Sequence, residues 1–535
     1  MARREEILTI HFPKAGLDVS QSFGRQPNRP VENGEYARTT VRAHNVRGYE
    51  PRTGRTRGGQ RSGLRKYLST RPGGIEYIIQ DLNVITTVGD PMQASQSGRV
   101  VSLVAVQAGN VYVANPGETD WTAAINGTDP FADPPLNVTG LVRSAANSQK
   151  LWFADGINWC YYEPATNTVK TWTASAGTLP QDSDGNYPTL IENWRGRIIL
   201  SGLPKDPQNL FLSKVGDPTN WDYSPLSPSA TDAVAGNLSG SFGLIGDVVT
   251  TLIPYTDDIL IVGCDHEIYM LRGDPLAGGQ VDLVTRAIGM AFGEPWCVDP
   301  TGTIYFFSNL TGVFALVPGR PPQRISGAIQ TILQEIDTGD NGVRLAWDDR
   351  YEGLHVFVTP LDEPGDTTHF YWDRRNDAWF TDDFNETNMD PLCCVTFDGN
   401  LPGDRTLLIG SWDGYVRSVD PEARDDDGEA ILSDVWLGPF LTKDMDDVTL
   451  RAMQAVLGEQ SGEVAYHIHV GATAEAAYNS DEVDSGVWEP SRNLSSQVKI
   501  SDHAIYIRLT ATEPWSMEAI RCTTTLNGKQ RRRGR

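Results

Sequence analysis

Short apolar runs broken by turn-forming residues set the pattern of this chain. Between Tyr187 and Asp274, Ile198–Leu200, Leu210–Leu212, Val248–Ile253, Ile259–Val262 and Ile268–Leu271 follow one another. Gly, Pro, Asn and Asp separate them, as at Arg195-Gly196-Arg197 and in the loop Gly216–Asp222. Runs this short, punctuated in this way, predict antiparallel strands joined by hairpins rather than helices. The same texture recurs at 102–113, 141–172, 190–223, 243–271, 286–317, 343–380 and 392–419. Each unit reads as an apolar strand, a Gly-containing turn such as Ala154-Asp155-Gly156 or Trp412-Asp413-Gly414, and a strand bearing Trp or Tyr. Starts spaced by about 40–60 residues suit four-stranded propeller blades. The expectation is an all-β fold whose main body is a β-propeller of six blades, with seven as the other count. Ala328 to Ile336, with Ile329, Ile332, Leu333 and Ile336 at helical spacing, is the clearest short helix. The stretches Ser224–Leu238 and Thr331–Asp340 read as inserts.

The pattern changes at both ends. After Asp425-Asp426-Asp427-Gly428, read as a solvated linker, residues 430–530 alternate apolar and polar positions, as in VAYHIHVGA and VKISDHAIYIRLTAT. They predict a β-sandwich-like platform. Residues 1–72 show no periodicity and are rich in Arg, Gly and Pro, so this arm cannot build a core of its own. The expected division is an arm over 1–72, a propeller over 73–424, and a platform over 425–535 with a basic tail, completed by both termini.

Charge sharpens this division. The chain carries a net charge of −24, yet residues 1–72 hold 15 Lys and Arg against 6 Asp and Glu. Six basic residues and no acid follow Glu518, which leaves 24 basic against 63 acidic residues between the two ends. Such segregation points to basic ends that meet acidic surfaces and a body that repels polyanions. Two roles are open for the arm: binding nucleic acid, or lying on neighbouring subunits. Few aromatics interleave with its arginines (Phe23, Tyr36, Tyr49, Tyr67), which favours the second.

Motifs for chemistry are sparse. His467 and His469 share one strand face but lack further ligands, so metal binding is not expected. The Asp425–Asp427 run lacks the spacing of an EF-hand loop. Gly58 to Gly63 lacks the Gly-Lys-Ser/Thr ending of a phosphate loop. Acid pairs such as Asp257/Asp258, Asp348/Asp349 and Asp382/Asp383 are expected by chance among 69 acids. Cys160, Cys264, Cys297, Cys393, Cys394 and Cys522 form no CxxC and read as free thiols of a reducing compartment. The N-terminus has no secretory core, and no run is long enough to span a bilayer as a helix. No enzyme and no cofactor is expected. The alternative class is a carbohydrate-binding or carbohydrate-active propeller using Trp152, Trp159, Trp372, Trp379 and Trp412 as sugar platforms.

Four stretches carry a family resemblance: FPKAGLDVSQSF (Phe12–Phe23), NVRGYEPRTGRTRGGQRSGL (Asn45–Leu64), GDPTNWDYSP (Gly216–Pro225) and LIPYTDDILIVGCDHEIYMLRGDP after it. They resemble tail nozzle proteins of tailed bacteriophages, also called tail tubular protein B or packaged-DNA stabilisation proteins. The resemblance implies a structural virion protein, assembled in the bacterial cytoplasm into a homo-hexameric ring below the adaptor. Its partners would be the adaptor and tail fibre proteins, and double-stranded DNA would pass during ejection without specific binding. An acidic wall suits that passage, since it repels phosphates within a Debye length of about 8 Å. The expected docking residues are Arg52, Arg55, Arg57, Arg61, Arg65, Arg531, Arg532 and Arg533.

Overall fold

Small, mainly antiparallel sheets succeed one another along most of the chain in the computed structural model. It describes residues 5–88, 98–115, 117–126, 134–236, 243–309, 312–384, 386–399, 405–441 and 447–526. Blade 1 consists of Ile79–Val88, Arg99–Gln107, Asn110–Ala114 and Thr122–Ala123. Blade 2 runs from Arg143–Asn147 to Thr168–Thr171, blade 3 from Leu190–Trp194 to Val234–Ala235, and blade 4 from Val249–Thr256 to Gln280–Thr285. Blade 5 runs from Trp296–Val298 to Gln323–Arg324 and blade 6 from Asn341–Asp348 to Ala378–Asp382. Blade 7 takes three strands from Pro391–Phe397, Thr406–Ser411 and Val416–Asp420, and its fourth, Gly63–Lys66, from the arm. The described residues therefore hold seven such groups of strands, those of blades 6 and 7 lying within larger sheets, where six blades were expected.

Each neighbouring pair of blades shares its own apolar core. Val104 and Phe153 join blades 1 and 2. Trp152 and Ile198 join 2 and 3, Trp194 and Leu260 join 3 and 4, and Ile261 and Phe306 join 4 and 5. Phe307 and Val356 join 5 and 6, and Phe357 and Ile409 join 6 and 7. The ring closes where Leu408 and Val416 of blade 7 meet Leu103 and Val101 of blade 1. Each fully buried aliphatic or aromatic side chain contributes roughly 1.5–3 kcal/mol, so every interface is a core in its own right. Radial closure leaves few strand edges open.

The platform is a sandwich. One sheet pairs Ser433–Phe440, Ala504–Ala511, Val464–Gly471 and Asp484–Trp488. The facing sheet has the order Glu5–Ile10, Met517–Leu526, Val448–Leu457, Arg492–Asp502. Leu437, Leu450, Met453, Ile468, Ile507 and Ile520 fill the space between them. The arm strand Ala43–His44 pairs with Ser433–Phe440 on one side and with the last strand of blade 6 on the other, so one nine-stranded sheet runs from propeller into platform. Glu5–Ile10 and Met517–Leu526, near the two ends of the described residues, thus lie side by side in the platform.

The helix near Ala328 is present but short, a 3₁₀ turn over Gly327–Ile329 followed by Gln330–Leu333. Among the described residues no helix is long and apolar enough to cross a membrane.

Candidate functional site

Arginines of the arm meet acids of the propeller and of the segment after it. Arg61 is buried, and its guanidinium donates to both carboxylate oxygens of Asp426 at 2.9 and 2.5 Å. It also donates to Asn45 Oδ1 at 2.8 Å and to the Asp383 carbonyl at 2.7 Å. Arg47 binds Asp382 through two parallel bonds of 2.7 and 2.6 Å and lies 4.0 Å from the centre of the Tyr371 ring. Both pairs are the fork-on-carboxylate geometry that makes arginine the strongest planar partner for a carboxylate. Burial alone would raise the Asp382 carboxyl, but the charge and hydrogen bonds of Arg47 prevail and hold it at about 2. Arg65 pairs with Asp425, Lys66 with Asp427 at 3.0 Å, and Arg57 with Glu50 at 3.0 Å and Glu518 at 3.4 Å.

These contacts correct three expectations. The Asp425–Asp427 run is not a solvated linker: Asp426 is fully buried, and Asp425–Asp426 continues the sheet of blade 7 beside Gly63–Lys66. Arg29, Arg42, Arg47, Arg57, Arg61 and Arg65 of the arm pair with acids of their own chain. Arg61, Arg57 and Arg65 are consequently engaged within the chain, and Arg61 has no surface to offer a partner. Arg52 and Arg55 are exposed, with Glu422 3.8 Å from Arg52. Arg531, Arg532 and Arg533 lie outside the described residues. Asp382 and Asp383, which looked like a chance pair, both face the arm, Asp383 through His44 at 3.0 Å.

The arm's glycines have an equally local cause. A Cβ on Gly59 would stand 2.0 Å from the Trp515 carbonyl oxygen, and one on Gly63 would stand 2.1 Å from that of Asp425. Only a residue without a side chain lets these backbones approach so closely.

A second constellation lies among the first strands of the blades. Asp81 and Asn83 of blade 1, Ser144 of blade 2, Glu192 of blade 3, Glu294 before blade 5, Arg344 of blade 6 and Cys394 of blade 7 surround a cavity of about 390 Å³. Glu294 accepts from Arg344 at 2.8 Å, and Ser144 Oγ donates to Asp81. Arg143, buried beside this group, donates to the Thr189 carbonyl at 2.9 Å and stacks on Phe292 at 4.7 Å. Burial, then the like charge of Arg344, lowers it to about 10. Burial, then the charge of Glu294, raises Asp81 to about 7, and the same two causes push Glu192 well up.

Asp81 thus stays protonated in the folded protein up to about pH 7 but ionises near 4 in the unfolded chain. The stability this difference confers is complete below pH ~4 and is lost as pH rises through about 7. Asp81→Asn keeps an acceptor for Ser144. It is expected to melt close to wild type at acid pH and higher than wild type at about pH 8, by on the order of 2–4 kcal/mol. Thermal melts of both proteins across that range check this, and a gap independent of pH would show that Asp81 does not titrate there.

The histidines hold no metal-like grouping. His467 pairs with Glu482 and lies 3.0 Å from Thr510 Oγ1, and His469 Nδ1 lies 2.8 Å from the Ser480 carbonyl. Among the described residues no cluster of His, Cys, Asp and Glu is placed to hold a metal ion. Of the aromatic residues considered as sugar platforms, Trp152, Trp372 and Trp379 are buried in cores between blades and present no ring to solvent. The cysteines among the described residues are free.

No protein-family model matches this chain, and no curated protein does. Among solved structures, the extracellular domain of BT4673 from B. thetaiotaomicron is similar at 11% identity and a TM-score of 0.40, over 83% of this chain and 55% of that one. The chain therefore spans just over half the length of that domain. YCF48 from Cyanidioschyzon merolae is similar at 12% identity and a TM-score of 0.40, over 68% of this chain and 99% of that one. BBS1N, in complex with ARL6DN, is similar at 8% identity and a TM-score of 0.39, over 68% and 99%. Likeness at this level carries no functional argument, so the chain's architecture rests on its own sheet order and cores: a β-propeller joined to a two-sheet platform.

Proposed function

We propose that this chain is a structural subunit of a ring in a bacteriophage tail, a nozzle below the adaptor through which DNA leaves the particle. The observation that supports it most is where the nozzle-like stretches fall. Phe12–Phe23 packs Phe12 on Trp515 of the platform and bonds Leu17 N–H to the Trp379 carbonyl of blade 6 at 2.8 Å. Asn45–Leu64 supplies Arg47, Arg61 and the start of the closing strand of blade 7. In Gly216–Pro225, the Pro218 carbonyl accepts from Trp172 at 3.0 Å and Trp221 at 2.9 Å, tying blade 2 to blade 3. The next stretch forms the first three strands of blade 4. Two of the four stretches thus fall where arm, propeller and platform join, and the other two lie within the propeller.

DNA does not thread the propeller itself in this reading: the cavity among the first strands of its blades holds about 390 Å³, whereas the major groove of a duplex alone is about 12 Å wide. The passage lies between subunits, walled by an acidic body that does not grip phosphates.

Arg52 and Arg55 are the arm's exposed arginines at the former docking positions. Reversing both to Glu is expected to leave thermal stability within about 1 kcal/mol, since the one ion pair lost, Arg52 with Glu422 at 3.8 Å, is exposed. The same variant should fail to join tails in an assembly assay scored by electron microscopy. Normal incorporation would refute this docking role, and a purified chain that never forms closed rings, alone or with an adaptor, would refute the nozzle reading.

A further inference from the structure

The cavity among the first strands of the blades is lined by more than acids. Arg344, Trp296 and Trp347 share it with Asp81, Glu192 and Glu294, and its volume is about 390 Å³. Preformed cavities of roughly 300–1,000 Å³ that mix aromatic and polar side chains are typical of small-molecule sites. The polar groups around it brace one another. Ser144 Oγ donates to Asp81, Asn83 Nδ2 donates to the Ser144 carbonyl at 3.0 Å, and Asn193 Nδ2 donates to the Ala146 carbonyl at 2.7 Å.

Three groups are left with capacity to spare. Arg344, 5% exposed, donates from Nε to the Leu392 carbonyl at 3.1 Å and from Nη1 to Glu294 at 2.8 Å, and its Nη2 has no acceptor among the described residues. Trp347, 6% exposed and stacked on Tyr305 at 5.3 Å, makes no hydrogen bond through its indole N–H among the described residues. Glu192, three blades away, accepts from no other side chain. Buried donors and acceptors are ordinarily paired, so these three define what a ligand would satisfy. Charge then selects the ligand. Arg143 and Arg344 oppose a cation, and Glu294 opposes an anion. Burial, then the charge of Glu294, keeps the Glu192 carboxyl protonated, so that it donates as well as accepts. Among the described residues no cluster is placed to hold a metal ion. An uncharged molecule with several hydroxyl groups meets all three groups and no like charge. Its oxygens accept from Arg344 and Trp347, its hydroxyls exchange hydrogen bonds with Glu192, and its C–H surface lies on half-buried Trp296 and Val298.

We propose that this cavity is a binding site for a small uncharged polyhydroxyl molecule, a mono- or disaccharide, held by Arg344, Trp347 and Glu192. None of its residues belongs to the tryptophan platforms considered from the sequence. The site also stands apart from the ring reading, so either can fail alone.

Saturation-transfer NMR and calorimetry of the full chain with D-glucose, D-galactose, D-mannose, maltose and lactose test it, with putrescine and inorganic phosphate as charged probes. At least one sugar is expected to bind with a Kd near millimolar or tighter. Glu192→Leu removes the carboxyl, and Thr396→Phe fills the cavity from a half-buried position on blade 7. Each should weaken that binding at least about tenfold, because ligand hydroxyls lose their partner or their space. If Glu192→Leu does not fold, Thr396→Phe decides alone. Sugar binding that survives both substitutions would overturn the placement. Binding of putrescine or phosphate in place of every sugar would overturn the ligand class, and failure of all five sugars to bind at tens of millimolar would overturn the site.

Discussion

Arg61→Ala is expected to cost about 3–5 kcal/mol of stability, the range for removing one partner of a buried ion pair. Asp426 has no exposure, and Arg61 is its charged partner through two hydrogen bonds. Without the guanidinium its carboxylate must stay buried uncompensated, take up a proton, or pull out of blade 7 with its strand. Asn45 Oδ1 and the Asp383 carbonyl lose donors as well. Chemical denaturation of wild type and variant measures the loss. Because much of it comes from the stranded acid, Arg61→Met combined with Asp426→Leu should recover more than half, as apolar replacements of buried pairs often do. An alanine variant as stable as wild type would mean that Arg61 does not hold the arm.

Gly63→Ala is expected to cost about 3 kcal/mol, for a steric reason. The new methyl would stand 2.1 Å from the Asp425 carbonyl oxygen and 3.0 Å from Ala423 Cβ. The strand cannot slide aside, since Val416–Asp420 pairs with it on one side and Asp426 on the other. Overpacking usually costs about 1–3 kcal/mol and more where backbone must yield. The effect should be local before it is global: amides of Gly63–Lys66 and Val416–Asp420 are expected to exchange faster while those of blades 2 to 4 hold. Uniform exchange across all blades with an unchanged melting point would show that this strand does not close the ring.

Acid should act on the arm through the same contacts. Asp382, held at about 2 by Arg47 against the effect of burial, contributes stability present above pH ~4 and lost as pH falls toward 2. Its sign is opposite to that of Asp81, so arm and propeller centre respond to pH in different windows.

Strands were legible because turn formers break the apolar runs at nearly every hairpin: VAYHIHVGA forms Val464–Gly471, and VKISDHAIYIRLTAT covers the end of Arg492–Asp502 and all of Ala504–Ala511. The number of blades was harder to read. Blade 7 borrows Gly63–Lys66 from a segment too short and too basic to look like a strand. Blade 3 takes its fourth strand, Val234–Ala235, from a stretch that reads as an insert. Two residues leave no period to detect.

The axial group was invisible for another reason. Asp81, Arg143, Glu192 and Arg344 sit in the first strands of different blades and Glu294 just before blade 5, and each looks like an ordinary polar position of its own segment. The arm was half legible: its Arg and Gly content and the acidic run at Asp425–Asp427 both stood out. Their separation by more than 350 residues hid that one receives the other.

What the sequence determined by itself was local: which residues alternate, where the chain turns, and which segments cannot form a core alone, because these depend on neighbours within a few positions. Tertiary structure alone decided which blade the arm would complete, which acid each arginine would neutralise, and which arginines remained for a partner. Those outcomes depend on burial and on distances between residues far apart in the chain, and neither exists until the ring has closed.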